Sequence, residues 1–147
     1  AGQWTSLSFD DSSWQQGAAG FGYGDKDDRT VLSAMKDKYQ SVYIRRAFQI
    51  PPDINPEKIG LAISYDDAFI AYINGREVVR VGVDSGSGKE AKGFHAHEAD
   101  KKFEFFALDK KAIGVLRQGA NVLAIEGHNV KPGSSDFTLH PALLLTK

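Results

Sequence analysis

A chain of 147 residues, 41% hydrophobic and 25% charged, has the length and balance of one ordinary globular domain built on a single core. Its formal net charge of −1 excludes a global field that would draw it to nucleic acid or an anionic bilayer, and no apolar run approaches the ~18 residues of a membrane span. The absence of cysteine excludes disulfide scaffolds, thiol nucleophiles and cysteine-bound zinc.

The first distinctive stretch is GFGYGDKDDRT, residues 20 to 30, in which spaced glycines alternate with aromatics and run into a cluster of acids. Next, TVLSAMKDKY places Leu32, Met35 and Tyr39 at helical spacing, a pattern shared by a short helix and a packed loop. The β-branched and aromatic run SVYIRRAFQI, 41 to 50, stops at Pro51-Pro52 and reads as a strand. Strands are also predicted over 58–65 and 68–73.

Asn74-Gly75 then separates two β-prone runs, and this pair tolerates the positive φ angles of a type I′ turn. The expectation is a hairpin of 68–73 with 76–83. Phe69, Ala71 and Ile73 share one face and Ile70, Tyr72 and Asn74 the other, so both faces are largely apolar and the hairpin belongs inside a sandwich. A polar loop at 84–93, a strand over 102–108, a helical turn within 109–119 that packs Ile113 and Leu116 inward, and strands over 121–129 and 136–146 complete the chain. About eight short strands, regular turn signals and almost no helix predict an all-β fold, an antiparallel β-sandwich of two sheets.

GFGYGDKDDRT is not a phosphate cradle. Its glycines are two apart, and Asp25 occupies the sixth position of the dinucleotide fingerprint, where it would repel the anion. Gly88-Lys89 runs into Glu90, so there is no P-loop either. Asp25, Asp27 and Asp28 do supply clustered hard oxygens of the kind calcium selects. An EF-hand is excluded, because Thr30 replaces its glycine and Lys36 its bidentate glutamate. A solvated acidic turn accounts for the same residues.

Asp66 and Asp67, as neighbours in an extended chain, point to opposite faces and cannot flank one glycosidic bond, so they read as a turn that caps backbone N–H groups. FHAHE puts His95 and His97 on one face but shows no third ligand for zinc or copper. A hydrolase using Asp66, Glu126 or His128 lacks any legible nucleophile–base–orienter set. Among the aromatics, Trp14 is expected in the core, whereas Tyr23 and Phe94, in glycine-rich or polar surroundings, are expected at the surface.

Taken together, FDDSSWQQGAAGFGYGDKDDRTVLS, LAISYDDAFIAYINGREVVR and GANVLAIEGHNVKPGSSDFTLHPALL resemble the galactose-binding-like jelly-roll domains, over nearly the whole chain and in the right order. The version it resembles is fused to large secreted bacterial enzymes and surface proteins. The resemblance implies a jelly-roll sandwich spanning 1–147 as one domain excised from a larger secreted or cell-surface protein. It also implies a non-catalytic carbohydrate-binding module and a structural calcium, with Asp25 and its neighbours as the acidic loop and Asp10 and Asp11 as turn formers before Trp14. Lys26 stands where that family often has glycine. The expected ligand contacts are Tyr23, Phe94, His95, His97 and Asp66, and the expected partners are a polysaccharide or oligosaccharide and an adjacent domain. The alternative is a docking module that stabilises a neighbouring catalytic domain and has no affinity for sugar.

Overall fold

A computed structural model describes residues 2–146. The strands run β1 (Phe21–Tyr23), β2 (Thr30–Val31), β3 (Ser41–Ile50), β4 (Lys58–Asp66), β5 (Ala68–Ile73), β6 (Arg76–Val81), β7 (Val83–Ser85), β8 (Lys92–Phe94), β9 (Glu104–Ala107), β10 (Gly119–His128) and β11 (Phe137–Thr146), with a single helical turn α1 (Lys110–Ile113). Two sheets face each other, ordered β2-β1-β11-β4-β9 and β3-β10-β5-β6, and β7 pairs with β8 as a separate ribbon. Every pairing is antiparallel except β1 with β2. The all-β sandwich expected from the sequence is the observed architecture. The extra strands are two- and three-residue pieces too short to leave a periodic signal. Among the described residues no helix is long and apolar enough to cross a membrane.

The hairpin explains the core. Asn74 and Gly75 take φ of 50° and 85°, both left-handed as a type I′ turn requires, and β5 pairs with β6 across a bulge between Ala71 and Tyr72. Phe69, Ala71 and Ile73 pack between the sheets with Leu61, Ile63, Ile125, Phe137 and Leu139. Ala68, Ile70 and Tyr72, on the other face, are equally buried in a second cluster with Val83 and Ala124. That outer cluster is covered by Trp4 and by Phe94. Each large apolar side chain so buried contributes ~1.5–3 kcal/mol.

Arg45 fastens the N-terminal cover. Its side chain, only 5% exposed, donates to the carbonyl oxygens of Trp4, Ser6 and Phe9 and to the Asp11 carboxylate at 2.8 Å. Asp10 accepts the Ser12 N–H at 3.0 Å and so shapes the turn. Trp14 stacks on Trp4 with centroids 6.3 Å apart and is half-buried, so it belongs to the packing. The segment after β2 is a packed loop of turns rather than a helix, with Met35 fully buried. α1 is capped by Asp109, which accepts the Ala112 N–H at 2.9 Å.

Candidate functional site

β4 and β5 lie in opposite sheets yet are separated by one residue, Asp67. The peptide joining Asp66 to Asp67 is cis. Asp67 takes the N–H of His97 at 3.0 Å on one oxygen and that of Val130 at 2.7 Å on the other, so it ties two loops to the sheet junction. This is the capping role expected of a turn aspartate.

Asp66 is different. It is 4% exposed, and its carboxylate is left to acidic neighbours: one oxygen each from Asp66, Glu98 and Asp136 lie within 4.8 Å of one another. Oxygens sharing one calcium at 2.3–2.6 Å are at most ~5 Å apart, so the spacing suits a single ion. Burial first, then Asp67, Asp136 and Glu98, pushes the Asp66 pKa up to about 8. Three carboxylates brought together this way are held against their own repulsion until a cation or protons join them.

The acidic loop does not supply this triad. Asp25 lies close enough for Asp136 to raise its pKa, second only to burial, but Asp27 and Asp28 lie along another wall with Ser64, Lys101 and His140. Among the described residues Asp25, Asp27 and Asp28 do not form one ligand cluster, and only Asp66, Glu98 and Asp136 do. The chain between them turns at Lys26, whose φ of 60° is left-handed. A side chain there costs roughly 1–2 kcal/mol. Lys26→Gly is therefore expected to raise stability by roughly 0.5–1 kcal/mol after allowing for the freer unfolded chain. Lys26→Ala removes the charge without freeing the backbone and brings no such gain. Urea midpoints of the two variants check this.

Beside the triad runs an open groove of about 460 Å³ lined by Tyr65, Asp67, Val81, Gly82, Val83, Asp84, His95, Ala96 and His97. It lies where the end of β4 meets the β7–β8 ribbon. His95 Nε2 is 2.6 Å from Asp84 Oδ1, and both side chains are exposed. His97 Nε2 is 2.6 Å from Glu104 Oε1, its Nδ1 is 3.0 Å from the Tyr65 carbonyl oxygen, and its ring stacks on Tyr65 at 4.0 Å. The two imidazoles therefore share the groove, but each has its own carboxylate and they form no common metal site.

Of the two expected surface aromatics, one is buried and the other half-buried. Tyr23 is buried; its hydroxyl donates to the Ser134 carbonyl at 2.9 Å and accepts from Asn129 Nδ2 at 3.1 Å. Its glycine neighbours admit close packing instead of exposing it: Gly24 lies against Ser135 and Asp136 and Gly22 against Asp28. Phe94 is half-buried and stacks on His128 at 4.6 Å. Glu126 and His128 are themselves fully buried. Both Glu126 oxygens accept the Gly88 N–H, at 3.0 and 2.9 Å, while His128 Nδ1 lies 2.7 Å from Ser41 Oγ. Glu126 thereby clamps the loop after β7 onto the sheet, His128 ties β10 to β3, and no pocket opens onto either among the described cavities.

Of the expected ligand contacts, His95 and His97 meet in the groove, Asp66 lies in the triad beside it, and Tyr23 and Phe94 are packing residues. Asp136 carried no local signal, and Glu98 only closes the FHAHE run. The pairing of β11 with β4 brings Asp136 to Asp66, and the loop that Asp67 anchors through the His97 N–H brings Glu98.

No protein-family model matches the chain, and no curated protein sequence does. Solved structures of like fold include a Bacteroides uniformis β-glucuronidase, 18% identical over 93% of this chain and 15% of its own, with a TM-score of 0.55. Another is a calcium binding mutant of Bacteroides uniformis β-glucuronidase 2, 16% identical over 96% of this chain and 16% of its own, with a TM-score of 0.53. An α-L-rhamnosidase from Streptomyces avermitilis complexed with L-rhamnose also aligns, 20% identical over 73% of this chain and 9% of its own, with a TM-score of 0.49. The chain thus spans only a small part of each, with the fold of a β domain found in glycoside hydrolases.

Proposed function

We propose that this chain is a non-catalytic accessory module of a secreted or cell-surface sugar-processing protein. It binds oligosaccharide or polysaccharide in the groove of His95 and His97 and holds calcium at Asp66, Glu98 and Asp136. The observation that carries the reading is the groove itself: imidazoles and carboxylates face open solvent beside the acidic triad, and sugar hydroxyls both donate to and accept from such groups. The ion would stiffen the junction between the two sheets and the loop that carries His97. Like-fold β domains in glycoside hydrolases, one of them from a protein named as a calcium binding mutant, are in keeping with this role.

A glycan array followed by calorimetry tests it. Binding is expected in the roughly micromolar to millimolar range, with His97→Ala weakening it about tenfold. Silence toward every glycan, with calcium present, would remove the sugar reading. A second reading, docking against an adjacent domain, is favoured by Phe105 and Leu144, 61% and 48% exposed on the outward side of the five-stranded sheet.

A further inference from the structure

The outward side of the five-stranded sheet holds a second, smaller pocket, remote in composition from the groove. Outward positions of its central strands are mostly small: Gly22 of β1 faces Thr138 of β11, Ala142 of β11 faces Ala62 of β4, and Ser64 of β4 faces the larger His140. Ser64 and Thr138, both buried, form part of the lining, and Gly20, Asp27, Asp28, Lys101, Phe103 and His140 complete it. The cavity measures about 90 Å³, near the space of three waters at ~30 Å³ each.

The lining is chemically mixed. Phe103 is 52% exposed, and its ring meets the His140 ring edge-on at 5.0 Å, so an aromatic surface stands at the mouth. Asp28 lies flat on the bare Cα of Gly22, where any Cβ would come within 2.5 Å of a carboxylate oxygen. Asp28 Oδ2 is buried and accepts no hydrogen bond. A carboxylate oxygen withdrawn from water without a donor is costly and asks for one. Burial first, then Asp27 and Asp25, pushes the Asp28 pKa up to about 6, consistent with that missing donor.

We propose that this pocket is a subsite for the terminal residue of a neutral or amino-substituted glycan. The sugar ring lies against Phe103, and a hydroxymethyl group or two vicinal hydroxyls enter the cavity. There they donate to Asp28 and Asp27 and accept from Lys101. A volume of about 90 Å³ admits such substituents but not a whole pyranose, which is why the aromatic surface outside is part of the site. Two carboxylates against one ammonium leave the lining net negative, so a uronic acid is rejected by like charge. The ligand class rests on the carbohydrate reading above, but the position does not, because none of these residues lines the groove.

The test is a titration of the whole calcium-loaded chain, followed by amide NMR, with methyl β-galactoside, methyl β-glucoside, glucosamine and glucuronate in turn, each to about 50 mM. Expected are shifts at Gly20, Lys101, Phe103 and His140 with at least one neutral or amino sugar, and binding of glucuronate weaker by about tenfold or more. Phe103→Ala, at an exposed position that leaves the fold intact, is expected to weaken binding at these amides at least about fivefold, and Asp28→Asn similarly, while Lys89→Ala, exposed and outside both the pocket and the groove, leaves it unchanged. Three results would each overturn the subsite: no shift at these amides with any of the sugars, glucuronate binding as well as the neutral sugars, or affinity lost in His97→Ala and kept in Phe103→Ala. The last would leave the groove reading standing. Conversely, an inert groove with an active pocket would sink the groove alone.

Discussion

Chelating divalent cations from the calcium-equilibrated protein is expected to lower its melting temperature by roughly 5–10 °C at pH 8, and by much less near pH 5. A ligand bound only by the folded state at a hundred times its dissociation constant adds ~2.7 kcal/mol, and a chain of this size moves ~2–4 °C per kcal/mol. The pH dependence follows from Asp66, pushed from 3.8 up to about 8, and Asp28, pushed up to about 6. Between the unfolded and folded values the folded state binds these protons more tightly than the unfolded chain does. The stability this contributes is fully present below about pH 4, where both states are protonated, and is lost as pH rises through the folded pKa values. Metal-free protein is therefore more stable at pH 5 than at pH 8. Calcium, which needs the ionised carboxylates, gains most at pH 8. Asp66→Asn is expected to stabilise the metal-free protein at pH 8 and to abolish the calcium effect. Coincident melts with and without chelator at pH 8 would exclude Asp66, Glu98 and Asp136 as ligands.

Asn121→Ala is expected to cost ~3–5 kcal/mol. Asn121 is fully buried at the entry to β10 and satisfies every hydrogen-bonding group of its amide. Oδ1 accepts from the Arg117 N–H at 2.9 Å and from Asn74 Nδ2 at 2.8 Å; Nδ2 donates to the carbonyls of Arg117 at 2.7 Å and Gly119 at 2.9 Å. Asn74 in turn donates to the Val115 carbonyl at 2.8 Å and accepts the Val122 N–H at 2.9 Å. One amide pair thus locks the hairpin turn to the loop after α1 and to the central strand. Removing Asn121 leaves several buried partners without water or protein to replace it. Denaturant melts should show a lower midpoint at an unchanged slope, and a loss under ~1 kcal/mol would contradict the account.

The fold was more legible than the sites, and particular residues show why. Asn74-Gly75 announces its turn because the positive φ it requires is a property of the two residues themselves. The double burial of β5 was readable because alternation assigns faces and both faces are apolar. Tyr23 was misplaced because glycine carries two meanings. Glycine-rich surroundings suggest an exposed aromatic, but in the fold Gly22 and Gly24 mark close approach of Asp28 and of Ser135–Asp136. Asp27 and Asp28 follow Asp25 within three residues, yet the turn at Lys26 carries them to a different wall.

What the amino-acid sequence by itself determined is local and periodic: the strands, the hairpin, the Asp67 cap, and the absence of a phosphate loop or a legible catalytic set. The acidic triad was decided only by tertiary structure. Asp66 meets Asp136 because β4 pairs with β11 so that Thr138 lies opposite Asp66, and Glu98 joins them because Asp67 holds the neighbouring His97 N–H. Strand register and loop anchoring are long-range choices set by the whole packed core, and no spacing within the chain records them.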